Sequence, residues 1–300
     1  MTSPANYPGL SAAQQKKLPN LIQATALPMM YSDSTHQLWD CETAQGPLIV
    51  KICNSANVTR SIFWQGMQSL FAVNLPGQLG EFEQVFASLA KLSPLEIPEY
   101  IASGPASAHQ QAFIAVKKLP GKMLLAVDVD ESMVVSLARH IGTLHQHRQA
   151  SWGGFGQAQF AAEYWPHRLQ DSLQLLADSH ANIPADILAE AIKLAGNCEV
   201  NEFVPIMPDL RWDQFLQHQG KLSALVDLDA FVFAPRELEL VLLEYILDER
   251  QARVFSRHYQ QAHCLPDLSG LRKPYRLLLY LINVLGEKNI DRWMQAPARF

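Results

Sequence analysis

Three aliphatic residues, Leu48-Ile49-Val50, run directly into Lys51, and this juxtaposition constrains the fold more than anything else in the chain. An aliphatic, β-branched run of this kind is a strand with at least one buried face. A lysine inside such a strand must either reach water from a sheet edge or meet an anion, because an unpaired ammonium out of water is costly. The preceding segment, HQLWDCET followed by AQG, supplies a partner strand and a turn at Gln45-Gly46, so the pattern predicts a β-hairpin. The sheet built on it carries one cation.

Residues 1 to about 25 mix Pro, Gly, Ser, Gln and Lys and read as a loosely held lead-in. From Gly80 to Leu92, the residues Phe82, Val85, Phe86, Leu89 and Leu92 fall at three- and four-residue spacing, as in an amphipathic helix. Two strands follow, over Ile97–Ile101 and Ala112–Val116, and Leu119-Pro120-Gly121 then breaks the chain. Beyond the break, helical periodicity covers Glu131–Gln146, Phe160–Leu176, Ile183–Leu194 and the C-terminus. The exception is 203–233, which reads strand, loop, strand, turn, strand. At about 150 residues per domain, 300 residues make one large domain or two lobes. The break divides them into 1–118 and 119–300, an α+β chain.

With 24 Lys+Arg against 29 Asp+Glu, the chain has no basic footprint for nucleic acid or an anionic membrane. Its four cysteines are scattered, which argues against a zinc cluster or disulfide framework and for a reducing, cytoplasmic setting. The N-terminus has no signal-peptide pattern, and the apolar stretch Leu277–Leu285 is too short to span a bilayer. No motif bears on oligomeric state. His145 and His147, two apart on a helix, point in different directions and are poorly placed to share a metal.

Two acids terminate short apolar runs in the strand-rich segment. Asp209 follows Val204-Pro205-Ile206-Met207-Pro208, and Asp227 follows Leu222-Ser223-Ala224-Leu225-Val226, with Asp229 two residues on. A carboxylate leaving a buried strand has an anchored backbone and free oxygens, as a metal ion or general base requires. The same pattern also describes ordinary loop and cap acids.

Taken in order, Val50-Lys51, the glutamate-bearing helix before Ile97-Pro98, Leu119-Pro120-Gly121, Ile141-Gly142-Thr143-Leu144-His145, Pro208-Asp209-Leu210-Arg211-Trp212-Asp213-Gln214 and Leu225-Val226-Asp227-Leu228-Asp229 resemble the aminoglycoside phosphotransferase and fructosamine kinase family. The element at Pro235–Leu240 extends the likeness, which covers roughly residues 30–290. The resemblance implies a bilobal protein-kinase-like fold, with a small antiparallel-sheet N-lobe and a larger, mainly helical C-lobe. It further implies ATP and Mg²⁺ as cofactors and a small-molecule acceptor with a hydroxyl, such as a sugar-amine or aminoglycoside.

Carried over residue by residue, the resemblance makes Lys51 the contact to the nucleotide phosphates, paired with a helix glutamate. Glu81 and Glu83 both fit the spacing, and Glu83 is the expected partner. Asp209 would accept the hydroxyl proton, with Asp227 and Gln214 as metal ligands and Ser34 and Thr35 as phosphate donors in the turn Tyr31–His36. His145 would pack beneath the catalytic loop. Acceptor specificity is expected from residues 155–200 and 236–270. Six acids against three cations over 209–239 suggest a field suited to Mg²⁺ and a cationic acceptor.

The chain departs from the family pattern in three places. Met207-Pro208 stands where the family has His-Gly, Gln214 replaces Asn, and the turn Tyr31–His36 contains no glycine. These departures define an alternative, a nucleotide-binding or partner-binding pseudokinase without turnover.

Overall fold

The structure, a computed structural model, describes residues 5–29, 34–180 and 182–300. Lys51 lies in a five-stranded antiparallel sheet made of β1 (Leu21–Ala26), β2 (His36–Thr43), β3 (Leu48–Cys53), β4 (Tyr100–Gly104) and β5 (Phe113–Lys117). The strand order β1-β2-β3-β5-β4 puts β3 in the middle. Lys51 is opposite Leu38 of β2 on one side and Ile114 of β5 on the other, so no sheet edge offers it a route to water. The two-residue period of the strand sorts its side chains. Leu48, Val50 and Ile52 join a small core with Tyr7, Leu10 and Phe113, while Ile49, Lys51 and Cys53 face the main core.

The lead-in is part of this sheet, contrary to what its composition suggests. Leu21–Ala26 forms the edge strand β1, and the residues before it are docked by specific bonds. The Tyr7 hydroxyl donates to Pro19 O at 2.9 Å, and the buried Gln14 amide donates to Gln111 O at 2.7 Å.

The helix Phe82–Leu92 buries Phe82, Val85, Phe86 and Leu89, as its periodicity requires. Two further helices, Ser55–Arg60 and Ile62–Phe71, each follow a polar cap residue and lie outside the segments that periodicity predicts. Asn54 caps the first, its Oδ1 accepting Asn57 N–H at 3.1 Å, and Ser61 caps the second through Trp64 N–H at 3.4 Å. The second helix lies against Trp165–Asp178, where Arg168 Nε donates to Leu70 O at 2.7 Å and Ser69 meets Ser172 at 3.0 Å. Gly66 on the same helix lets Ile282 approach closely, since a Cβ there would lie 2.2 Å from Ile282 Cγ2. Trp165 is fully buried and belongs to the core.

The chain leaves the first sheet through Leu119-Pro120-Gly121. Gly121 has φ +116°, and a Cβ on it would lie 2.6 Å from Gln217 O, so a side chain is excluded on both counts. Lys122–Met123 then pairs with the hairpin Phe215–His218 and Lys221–Leu225. The remainder carries the helices Glu131–Leu144, Trp165–Asp178, Ala185–Ala195, Arg236–Ile246, Glu249–Tyr259 and Arg272–Leu281 together with a four-stranded sheet. Buried Glu244 ties the C-terminus down by binding Arg272 at 3.0 Å, Arg276 at 2.7 Å and Arg299 N–H at 3.1 Å. Among the described residues no helix is long and apolar enough to cross a membrane. Cys41, Cys53, Cys198 and Cys264 are free thiols.

Candidate active site

A cleft of about 790 Å³ brings together Ser34, Thr35, Lys51, Asp209 and Asp227 from segments far apart in sequence. At its centre the Lys51 ammonium is 2.6 Å from Asp227 Oδ1 and 2.7 Å from Asp229 Oδ2. Both acids lie in the loop that leaves the strand Lys221–Leu225. Buried Leu228 pins that loop between them, and Val226 N–H donates to Gln214 O at 3.0 Å. Burial alone would push the Lys51 pKa down, but the two carboxylates outweigh it and hold the ammonium charged. Burial would likewise raise Asp227, and Lys51 reverses this, holding it well below the usual carboxylate range.

The expected Lys51–Glu83 pair is therefore corrected. Glu83 is exposed on the helix Phe82–Leu92, and Glu81 accepts Gln157 Nε2 at 2.7 Å. The buried face of that helix presents Phe82 and Val85 toward Leu228 and Asp229, so the second carboxylate comes from the loop instead. Sequence reasoning did not assign Asp229 a role, although the Asp-x-Asp spacing around a core leucine was the available signal.

Asp209 sits between the strand Val204–Ile206 and the single 3₁₀ turn Trp212–Gln214. Its Oδ1 is buried without a hydrogen-bond partner. Desolvation, with added repulsion from Asp227 and Asp229, raises its pKa from 3.8 to about 7 despite the opposing pull of Arg211.

The loop around Asp209 is braced from two sides. Met207 N–H donates to Glu239 Oε1 at 2.8 Å, and Glu239 Oε2 meets His145 Nε2 at 3.0 Å. His145 Nδ1 in turn contacts the Tyr259 hydroxyl at 2.8 Å. His145 thus packs beneath the loop, as expected. On the other side, Gln214 Oε1 accepts Arg211 N–H at 2.8 Å and its Nε2 donates to Asp209 O at 3.1 Å. Both ends of this buried amide are engaged within the loop, so Gln214 acts here as a brace and its oxygen is not presented to an ion.

Ser34 Oγ donates to His36 O at 3.2 Å, and Thr35 Oγ1 lies 3.3 Å from His36 Nδ1. Asn57 Nδ2 donates to Ser34 O at 3.0 Å, tying this end of the turn to the helix Ser55–Arg60. Tyr31–Asp33 lie outside the described residues. His36 Nε2 is 3.5 Å from Asp229 Oδ2, and burial lowers its pKa more than that carboxylate raises it.

The donor set fits a hard divalent cation. Asp229 Oδ1, like Asp209 Oδ1, is a buried carboxylate oxygen with no hydrogen-bond partner. Among the described residues no three His, Cys, Asp or Glu side chains form a metal cage. Mg²⁺ needs none, since it takes one or two carboxylates and completes its shell with phosphate and water.

Residues 31–274 match the model of the phosphotransferase enzyme family, APH. The chain belongs to this family. Solved structures of phosphotransferases share its bilobal protein-kinase-like fold. One, named as a fructosamine-3-kinase from Thermobifida fusca, is 14% identical, with a TM-score of 0.62 over 94% of this chain and 95% of that one. The macrolide 2′-phosphotransferase MphH from Brachybacterium faecium is 13% identical, with a TM-score of 0.56 over 96% and 97%. A thermostable mutant of aminoglycoside phosphotransferase APH(4)-Ia, bound to AMP-PNP and hygromycin B, is 16% identical, with a TM-score of 0.56 over 90% and 87%. No curated protein sequence matches the chain.

Proposed function

We propose that this phosphotransferase moves the γ-phosphoryl group of ATP, with Mg²⁺, onto a hydroxyl of a small molecule. The observation that carries the reading is the cluster of Lys51, Asp227 and Asp229 in one cleft with Asp209, whose Oδ1 has no hydrogen-bond partner and whose pKa is raised to about 7.

Bound ATP and Mg²⁺ supply the transferable group and neutralise charge at its phosphates. Asp227 and Asp229 are the residues that would hold the ion, and Lys51 the residue that would bind phosphate oxygens. Lys51 binds both carboxylates, and this pairing fixes the position of the loop that carries them. Asp209 takes the proton from the acceptor hydroxyl. A base titrating near neutrality suits that task, because it is ionised in a large fraction of molecules yet still binds a proton well. The Glu239–His145–Tyr259 chain and the Gln214 amide hold Asp209 in place, which matters because misplacement by about 1 Å can lower a rate on the order of 100-fold. Free thiols suit a reducing compartment, and the cytoplasm is the setting we propose.

A thermal-shift titration tests the nucleotide half of the reading. ATP should raise the melting temperature only with Mg²⁺, and Asp227→Ala should abolish the shift. Chromatography of reactions with hydroxylated acceptors then tests transfer. No ATP-dependent shift at all, or ATP turnover with every acceptor left unmodified, overturns the proposal.

A further inference from the structure

One wall of the cleft comes from neither the sheet nor the two acidic loops. It is built from the segment Asn57–Trp64 and from Ile282–Lys288, after the last long helix. Neither segment lies in the stretches from which acceptor specificity was expected. The two are fixed to one another at Gly66, whose missing Cβ would sit 2.2 Å from Ile282 Cγ2, so the wall is a rigid unit.

Its chemistry is specific. Half-buried Phe63, backed by the buried Trp64, Ile282 and Val284, gives it an apolar patch, and Arg60 and Lys288 give it two cations. Among the described residues Arg60 reaches only neutral partners, donating to Asn57 Oδ1 at 2.7 Å and to Ala56 O at 3.3 Å. Lys288 Nζ donates to Asn283 Oδ1 at 3.3 Å. Glu287, the neighbouring acid, is taken up by Arg292 at 3.6 Å and by the Lys288 and Asn289 amides at 2.8 Å. Among the described residues, the carboxylates that line the cleft are Asp209, Asp227 and Asp229, all at the proposed reaction centre.

A polycationic acceptor would find no carboxylates along this wall and would meet two like charges. We infer that the acceptor is an amphipathic hydroxyl compound with an anionic head group, its apolar body on Phe63 and Trp64 and its anion between Arg60 and Lys288. The inference rests on the phosphotransferase reading of the same cleft, and it differs from the cationic acceptor that the acidic content of 209–239 suggested. Of those acids Asp227 and Asp229 bind Lys51, Asp213, Glu237 and Glu239 pair with Arg211, Arg236 and His145, and Asp209 is kept for the reaction, so the charge that selects an acceptor lies on other segments.

Calorimetric titration of the full chain with ω-hydroxydecanoate, ω-hydroxydecyl phosphate, decanediol and kanamycin tests this, with and without saturating Mg²⁺ and AMP-PNP. The two anions should bind on the order of 10-fold or more tighter than decanediol, an increment of about 1.4 kcal/mol, and kanamycin weakest. The ratio of the two anions tells carboxylate from phosphate. Arg60→Gln with Lys288→Gln, both on exposed side chains, should bring the anions to the level of decanediol. Tighter binding of kanamycin or decanediol, failure of both anions to bind, indifference to the double substitution, or competition between the anions and AMP-PNP each overturns the inference. AMP-PNP binding is read in a separate titration, and its absence would refute the kinase reading while the anion series without nucleotide still tests the wall.

Discussion

Replacing Asp209 by Asn should make the protein more stable and less active, by amounts that depend on pH in a defined direction. In the fold the Asp209 carboxyl titrates at about 7 against an ordinary 3.8, because its site is desolvated and faces Asp227 and Asp229. The folded state therefore holds a proton that the unfolded chain releases, and stability declines as pH rises from about 4 to about 7. Ionisation above that window costs the fold up to about 4 kcal/mol at ~1.4 kcal/mol per pKa unit. Partial exposure of the residue reduces this to about 2 kcal/mol through solvent screening. Asn removes the charge, so the variant should melt about 4 °C higher at pH near 8, at ~2 °C per kcal/mol for a chain of this size. At pH near 5 wild-type Asp209 is already protonated, and the two melting temperatures should converge. In wild type kcat/KM should fall as pH drops below about 7, and Asp209→Asn should lower kcat about 10²- to 10⁴-fold at pH near 8, a gap that narrows as wild type loses activity at lower pH. Differential scanning calorimetry across pH, paired with steady-state kinetics, reads both effects. A variant no more stable than wild type at high pH, or a gain that persists undiminished at low pH, refutes the raised pKa and with it Asp209 as a base poised near neutrality.

Lys51→Met leaves Asp227 and Asp229 facing one another without a cation. Urea denaturation should find it about 3–5 kcal/mol less stable, and Mg²⁺-ATP should no longer shift its melting temperature. Glu83→Ala, by contrast, should stay within about 0.5 kcal/mol of wild type, as an exposed position does, with kcat/KM unchanged. A large loss of activity there would restore the helix glutamate as the partner of Lys51. Glu239→Ala strips Met207 N–H and His145 of their shared acceptor, which should cost about 2–4 kcal/mol. It should lower kcat about 100-fold through a loosened Asp209 while leaving KM for ATP nearly unchanged, with Glu239→Gln recovering part of both.

What could be read from the sequence divides along a physical line. Lys51, Asp209 and Asp227 were legible because each breaks a local rule: a cation inside an aliphatic strand, and acids at the ends of apolar runs. Local rules predict what a side chain needs and are silent about what meets it. Lys51 needed an anion, and the nearest candidate in a one-dimensional pattern was a helix glutamate. The fold supplies instead Asp227 and Asp229, 176 and 178 residues away, while the helix turns Val85 and Phe82 toward Asp229. The substituted catalytic loop shows the same limit. Met207 cannot donate from its side chain and Pro208 has no N–H, which on sequence alone weakens the loop. Yet the Met207 backbone N–H is satisfied by Glu239, in the helix Arg236–Ile246, and Gln214 closes the loop's far side with both ends of its amide. The extra methylene of Gln relative to Asn, which looked like a misplaced metal ligand, lets the amide span from Arg211 N–H to Asp209 O. A residue type that appears as a defect in a ligand set is, in three dimensions, part of what holds Asp209, the base of the proposed transfer, and under that reading the metal falls to Asp227 and Asp229.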